Sequence, residues 1–135
     1  MAGTTPLGTP IEIQLTDHPL TVLSFLSTRC EGCEEFWRRL CHGSASDQFG
    51  GITFQVVTRS SHSEDPTEVL DLAGERGREV LMSDEAWDAF GVFGYPYFVL
   101  IDGAAKTVIG ETVAFGWSDV ETTLDSAVAR GRIIP

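Results

Sequence analysis

Ser27-Thr28-Arg29-Cys30-Glu31-Gly32-Cys33-Glu34-Glu35-Phe36-Trp37 places two cysteines two residues apart, at the seam between two hydrophobic patterns. Before it, residues 21–26, TVLSFL, form a short apolar run rich in strand formers, long enough for a buried strand. After it, apolar side chains recur at Cys33, Phe36, Trp37, Leu40 and Cys41, the i, i+3, i+4, i+7, i+8 spacing of one helix face. That spacing predicts a helix over about 31–42. Residues 51–58, GITFQVVT, read as a second core strand, and the connection between the two strands is long enough for a helix packed on a parallel pair. The cysteines therefore stand at the first strand-to-helix turn of a βαβ unit.

A C-x-x-C pair in that setting is the pattern of a thiol-disulfide site. Two intervening residues at a helix start let the sulfurs meet at bonding distance, while unpaired N–H groups of the first turn and the helix dipole stabilise a thiolate. Cys33 shares a stripe with Phe36, Trp37 and Leu40 and should turn toward the core. Cys30 precedes the helix and can meet solvent, so Cys30 reads as the nucleophile and Cys33 as the resolving thiol. A metal site would need further ligands, and Cys41 and His42 lie too far away. At about 1.5 Å rise per residue, Cys41 is roughly 12 Å along the helix from Cys33, whereas sulfurs on one zinc lie within about 4 Å of each other. No metal is expected, and Cys41 reads as a buried, inert thiol.

The rest of the chain contains no internal repeat and no linker that would split it, so residues 1–135 are expected to form one domain. The Gly-, Thr- and Pro-rich residues 1–10 read as a loose arm, followed by an edge strand over 11–15. Asp65, Pro66 and Glu68 start a helix that runs to Ala73. REVLMSD supplies a short strand, and Ser83 caps a helix over DEAWDAF. Tyr95-Pro96 is a turn into the strand YFVLIDG, and Asp102-Gly103 leads a hairpin into KTVIGETVAF. Ser118 and Glu121 form a capping box for a last helix bearing Val120, Leu124, Ala127 and Val128 on one face and stopped by Gly131.

Composition limits the function further. The chain has 135 residues, 42% hydrophobic, enough for a single core. Nine basic against 20 acidic side chains give a formal net charge of −11, a field that repels nucleic acid and anionic membrane surfaces. No apolar run approaches the roughly 20 residues that span a bilayer, and the start MAGTTPLGTP lacks the basic and apolar regions of a secretory signal. A cytoplasmic monomer is the expectation, with an extracytoplasmic domain of an anchored protein as the alternative. His18, His42 and His62 are isolated, and Trp37 and Trp87 sit on apolar helix faces that suit core packing.

With VLSFLSTRCEGC and VLMSDEAWDAFGVFGYPYFVLIDG both in view, the chain resembles the thioredoxin superfamily, most closely the TlpA-type bacterial disulfide reductases. The resemblance covers nearly all of residues 20–128. It implies an α/β thioredoxin fold, a central mixed β-sheet flanked by helices, with no cofactor beyond the redox-active Cys30-Cys33 pair. It places the family's cis-proline at Pro96, where the missing N–H leaves the neighbouring backbone to pair with an extended substrate strand. It also sets the loop before the last helix, with Trp117, beside the cysteines. Arg29, Tyr95, Pro96 and Trp117 are accordingly the expected substrate-binding residues. The chain departs from the family pattern at Arg29, where an aromatic residue is common, at Gly32, where proline is frequent, and at Ser24, where many thioredoxins carry a buried acid.

The leading expectation is a thiol-disulfide oxidoreductase that exchanges the Cys30-Cys33 pair with protein substrates and a separate redox partner. Two alternatives belong to other classes. One is a thioredoxin-fold binding module whose cysteines are incidental. The other is a thiol peroxidase, for which Ser27 and Arg29 near Cys30 speak, although the proline expected before them is Leu23.

Overall fold

The structure is a computed structural model and describes residues 1–43 and 52–129. Seven strands in these residues form one sheet: β1 (Ala2–Thr4), β2 (Pro10–Glu12), β3 (Leu20–Phe25), β4 (Thr53–Thr58), β5 (Leu81–Met82), β6 (Tyr97–Asp102) and β7 (Thr107–Val113). Their order is β2-β1-β5-β4-β3-β6-β7. β3, β4 and β5 run parallel, while β1, β2, β6 and β7 pair antiparallel. Among the described residues four α-helices cover the sheet: α1 (Glu34–Cys41), α2 (Pro66–Ala73), α3 (Asp84–Ala89) and α4 (Trp117–Ala129). The expected mixed α/β sheet is present.

All six residues of β3 are buried, because the strand lies between β4 and β6 with helices over both faces. Alternation along it feeds two cores. Leu20 and Val22 join Phe36, Trp37, Phe98, Trp117 and Leu124 under α1 and α4, while Leu23 and Phe25 join Val57, Leu81, Trp87 and Val99 under α3. The helix starts carry the caps expected from sequence: the Asp65 side chain accepts from Thr67 N–H, and Ser83 Oγ accepts from Ala86 N–H at 3.1 Å.

Several boundaries differ from the sequence reading. Residues 1–10 are not a loose arm. They hold β1, which pairs with β2 and reaches β5 at Thr4 opposite Met82, and Ser83 Oγ donates to Ala2 O at 2.6 Å. A Cβ on Gly3 would run into the Met82 carbonyl, so the close approach requires glycine there. The edge strand is Pro10–Glu12, and a 3-10 turn over Leu15–Asp17 replaces its far end. β4 begins at Thr53, with Gly51 outside the described residues. The expected strand over REVLMSD shrinks to Leu81–Met82 after a 3-10 stretch, Gly74–Glu79. The last helix starts at Trp117, so Ser118 lies inside it. Asp119 instead reaches back to accept the Phe115 N–H at 2.7 Å. Gly131 and the side chain of Val128 lie outside the described residues.

Cys41 is free and buried beneath α1. Burial pushes its thiol from 9.0 up to about 11, against a smaller opposing pull from Arg76. Tyr97 is likewise raised, to about 12, by burial and by donating to Glu111 at 2.6 Å. Both groups lose protons more readily in the unfolded chain, so their contribution is complete below pH 9.0 and is lost as pH climbs toward about 11 for Cys41 and about 12 for Tyr97. Heating the oxidised protein at about pH 8 and about pH 10.5 should therefore lower the wild-type midpoint by several degrees more than that of Cys41→Val. Parallel declines in the two proteins would contradict this assignment.

Candidate active site at the end of the central strand

β3 ends at Phe25, and the chain then crosses above the sheet as Leu26–Arg29 with no regular structure before reaching Cys30. Three anchors hold this crossing. Leu26 N–H donates to Val57 O at 3.0 Å, the Trp37 indole N–H donates to Ser27 O at 3.1 Å, and both Ser27 and Thr28 bond the Glu64 carboxylate. The first turn after Cys30 is 3-10, Glu31–Cys33, and α1 takes over at Glu34. Gly32 lowers helix propensity within it, and 3-10 turns are frequent at helix starts.

Cys30 and Cys33 are joined as a disulfide across this turn, with Cα atoms 5.2 Å apart. Cys33 is fully buried among Phe36, Trp37 and Leu40, while Cys30 is partly exposed. The turn before β6 comes from the neighbouring strand, where Tyr97 pairs with Phe25 at the end of β3. The Tyr95-Pro96 bond is cis, as the resemblance implies, and Pro96 is buried against the cysteine turn, where a Cβ on Gly32 would lie 3.8 Å from Pro96 Cδ. Cys30 Sγ lies 3.9 Å from the Tyr95 carbonyl oxygen. The Tyr95 ring is 47% exposed yet supported from beneath, edge-on to Trp87 at 5.7 Å, and Trp87 is in turn covered by the Arg59 guanidinium at 4.8 Å. Asp84, held below its ordinary value chiefly by hydrogen bonds from Ser60, pairs with Arg59 at 3.6 Å and fixes that cover.

The charges around Cys30 oppose one another. Arg29 is exposed beside it, and the helix start favours a thiolate, whereas Glu31 and Glu34 are exposed and disfavour one. Glu35 is partly neutralised, since Arg39 pairs with it at 3.0 Å. Ser24 is fully buried, and its hydroxyl has no hydrogen-bond partner among the described residues. The Ser27 hydroxyl, which the peroxidase reading would use at Cys30, donates to Glu64 at 2.6 Å. Among the described residues no group of three or more His, Cys, Asp or Glu side chains is arranged to hold a metal ion.

The fold has counterparts among solved structures. A putative thiol:disulfide interchange protein DsbE from Chlorobium tepidum superposes with a TM-score of 0.72 at 19% identity, covering 96% of this chain and 91% of that one. The fold is thioredoxin-like. A secreted disulfide oxidoreductase of Mycobacterium tuberculosis matches with a TM-score of 0.66 at 17% identity over 93% of this chain and 95% of that one. The exposed lipoprotein thioredoxin of Streptococcus pneumoniae matches with a TM-score of 0.69 at 18% identity over 93% and 98%. No family model matches the chain, and no curated protein matches it in sequence.

Within this thioredoxin-like fold the Cys30-Cys33 turn meets Tyr95 and Pro96, and Arg29 is exposed next to Cys30 in the chain, but Trp117 does not line the surface. Because α4 begins at Trp117, its ring turns under α1 and is 4% exposed, packed on Phe36 at 6.1 Å and Phe54 at 6.2 Å with Arg39 stacked 5.3 Å above. The surface ring of that loop is Phe115, 94% exposed, and Phe93 before the cis-proline is 85% exposed. Ala114 N–H donates to Pro96 O at 2.9 Å, which ties the start of the Phe115 loop to the cis-proline turn. Trp117 is expected at the surface because the resemblance sets the loop before the last helix beside the cysteines, and the helix instead begins at Trp117 itself. Phe93 and Phe115 gave no pattern of their own. Trp117→Ala should lower stability by about 3–5 kcal/mol, whereas Phe115→Ala should stay within about 0.5 kcal/mol of wild type. Urea titration distinguishes them, and comparable losses would return Trp117 to the surface.

Proposed function

We propose that the protein is a thiol-disulfide oxidoreductase that exchanges the Cys30-Cys33 pair with disulfides of protein substrates, acting as a monomer with no cofactor beyond the pair. The observation that carries this reading is the asymmetry of the two sulfurs: one partly exposed at a helix start against the Tyr95 carbonyl, the other locked in the core. In the reducing direction the Cys30 thiolate attacks one substrate sulfur, the substrate S–S bond breaks, and its second sulfur leaves as a thiolate that takes a proton. Cys33, having given up its proton, attacks Cys30 Sγ. The mixed disulfide breaks, the first substrate sulfur departs, and the Cys30-Cys33 bond closes with two electrons passed to the substrate. Run backward, the same steps oxidise a substrate dithiol. A separate redox partner resets the pair.

Phe93, Tyr95 and Phe115 supply an apolar rim to the site, suited to an extended segment carrying the substrate cysteine. Arg29, exposed beside Cys30 in the chain, adds a positive charge next to the nucleophile. No helix of the described residues is long and apolar enough to cross a membrane. Similarity to structures described as secreted and as an exposed lipoprotein favours the extracytoplasmic alternative.

Trapping tests the mechanism. Cys33→Ser removes the resolving step and should accumulate covalent adducts that dithiothreitol releases, while Cys30→Ser should trap none and Cys41→Ser should turn over insulin as wild type does. Adducts that persist in Cys30→Ser would refute the assignment of the nucleophile. Tyr95→Ala should slow reduction of a protein disulfide by roughly tenfold while leaving a small disulfide nearly untouched, and equal losses on both would remove the rim from the account.

A further inference from the structure

Glu64 lies in the connection between β4 and α2, directly before the Asp65 cap, and only 7% of it is exposed. A carboxylate buried to that degree is costly unless its lone pairs are occupied. Here they are occupied by the crossing that leads to the cysteines. Ser27 Oγ donates to Oε1 at 2.6 Å, and Thr28 donates to Oε2 through its hydroxyl at 2.5 Å and its backbone N–H at 3.3 Å. Ser27 Oγ then accepts the Arg29 N–H at 3.2 Å, which continues the chain of bonds to the residue adjoining Cys30. Glu68 also reaches the Thr28 hydroxyl, at 3.2 Å, but from an exposed position.

None of these bonds serves the helix that Glu64 precedes, since α2 is capped by Asp65. Residues 26–29 have no strand or helix ladder of their own, so these side-chain bonds, together with those of Trp37 and the Val57 carbonyl, decide their path. The carboxylate therefore fixes the segment from which Cys30 projects. We propose that Glu64 is a positioning residue for Cys30: through Ser27 and Thr28 it holds the nucleophile at the start of α1 and against the Tyr95 carbonyl. This rests on the reading of Cys30 as the attacking thiol.

Two substitutions separate geometry from charge. Glu64→Gln and Glu64→Ala remove the same charge, but the glutamine amide still accepts one bond, and its NH2 can donate to a rotated Ser27 or Thr28 hydroxyl. The two readouts are the rate of Cys30 alkylation by iodoacetamide in the reduced protein and turnover of insulin disulfides, with folding checked by circular dichroism. Glu64→Ala should fall roughly tenfold below Glu64→Gln in both, so that glutamine rescues most of what alanine loses. Equal alkylation and equal turnover in the two variants would overturn the proposal, whatever their stabilities. Should Glu64→Ala not fold, Thr28→Val removes one of the bonds at a smaller structural cost. It should slow alkylation and turnover in the same direction, by about threefold, and a wild-type result there would count against the proposal just as firmly. Alkylation needs no substrate. A wild-type protein that alkylates at Cys30 but reduces no disulfide would sink the oxidoreductase reading alone and leave the role of Glu64 to the alkylation rates.

Discussion

The burial of Cys33 is the constraint on which the rest of the site depends. Its side chain belongs to the same α1 stripe as Phe36, Trp37 and Leu40, and that stripe packs on Val22, Phe98 and Trp117 across the sheet. Moving Cys33 outward would rotate the whole stripe from the core, at a loss of about 1.5–3 kcal/mol for each large apolar side chain exposed. One sulfur is thus held by the hydrophobic core, and the other is left at the surface where the strand has ended and the helix has just begun. The chemical inequality of the two thiols is a by-product of helix packing.

The opposite wall is built independently from the second core. Phe25, Trp87 and Tyr97 gather beneath α3, and Trp87 carries the weight of Tyr95 at the cis-proline turn. The site therefore lies at one end of β3, with the cysteines at the start of the helix that follows β3 and Pro96 at the start of the neighbouring β6. Polar side chains mark the junction: Glu64 grips the crossing before Cys30, while Ser24 is fully buried within β3.

Sequence alone revealed the parts whose signals are local. The β3 run, the α1 stripe, the Tyr95-Pro96 turn and the capped starts of α2 and α3 each carry a periodicity or a residue pair with one physical meaning, and each stands where expected. What was missed depends on partners distant in the chain. β1 is three residues long with no alternation, and it is a strand because Met82 and Ser83 lie beside it. Trp117 reads as a loop residue from sequence, but the start of α4 is fixed by Asp119 reaching back to Phe115 rather than by Ser118. Glu64 was one acid among several in SHSEDPTEV, and no spacing in that stretch marks its bonds to Ser27 and Thr28, more than thirty residues earlier.

The central claim is that Cys30 and Cys33 form a working redox couple and not a structural crosslink. Equilibrating the protein with graded mixtures of reduced and oxidised dithiothreitol or glutathione, and reading the fraction of the pair oxidised, tests that directly. A redox couple should give one two-electron transition with a potential between roughly −270 and −120 mV, the span of thioredoxin-fold oxidoreductases, with the fold intact on both sides. A pair that stays oxidised until below about −300 mV, the range of structural disulfides, or that unfolds the protein on reduction, would contradict the account.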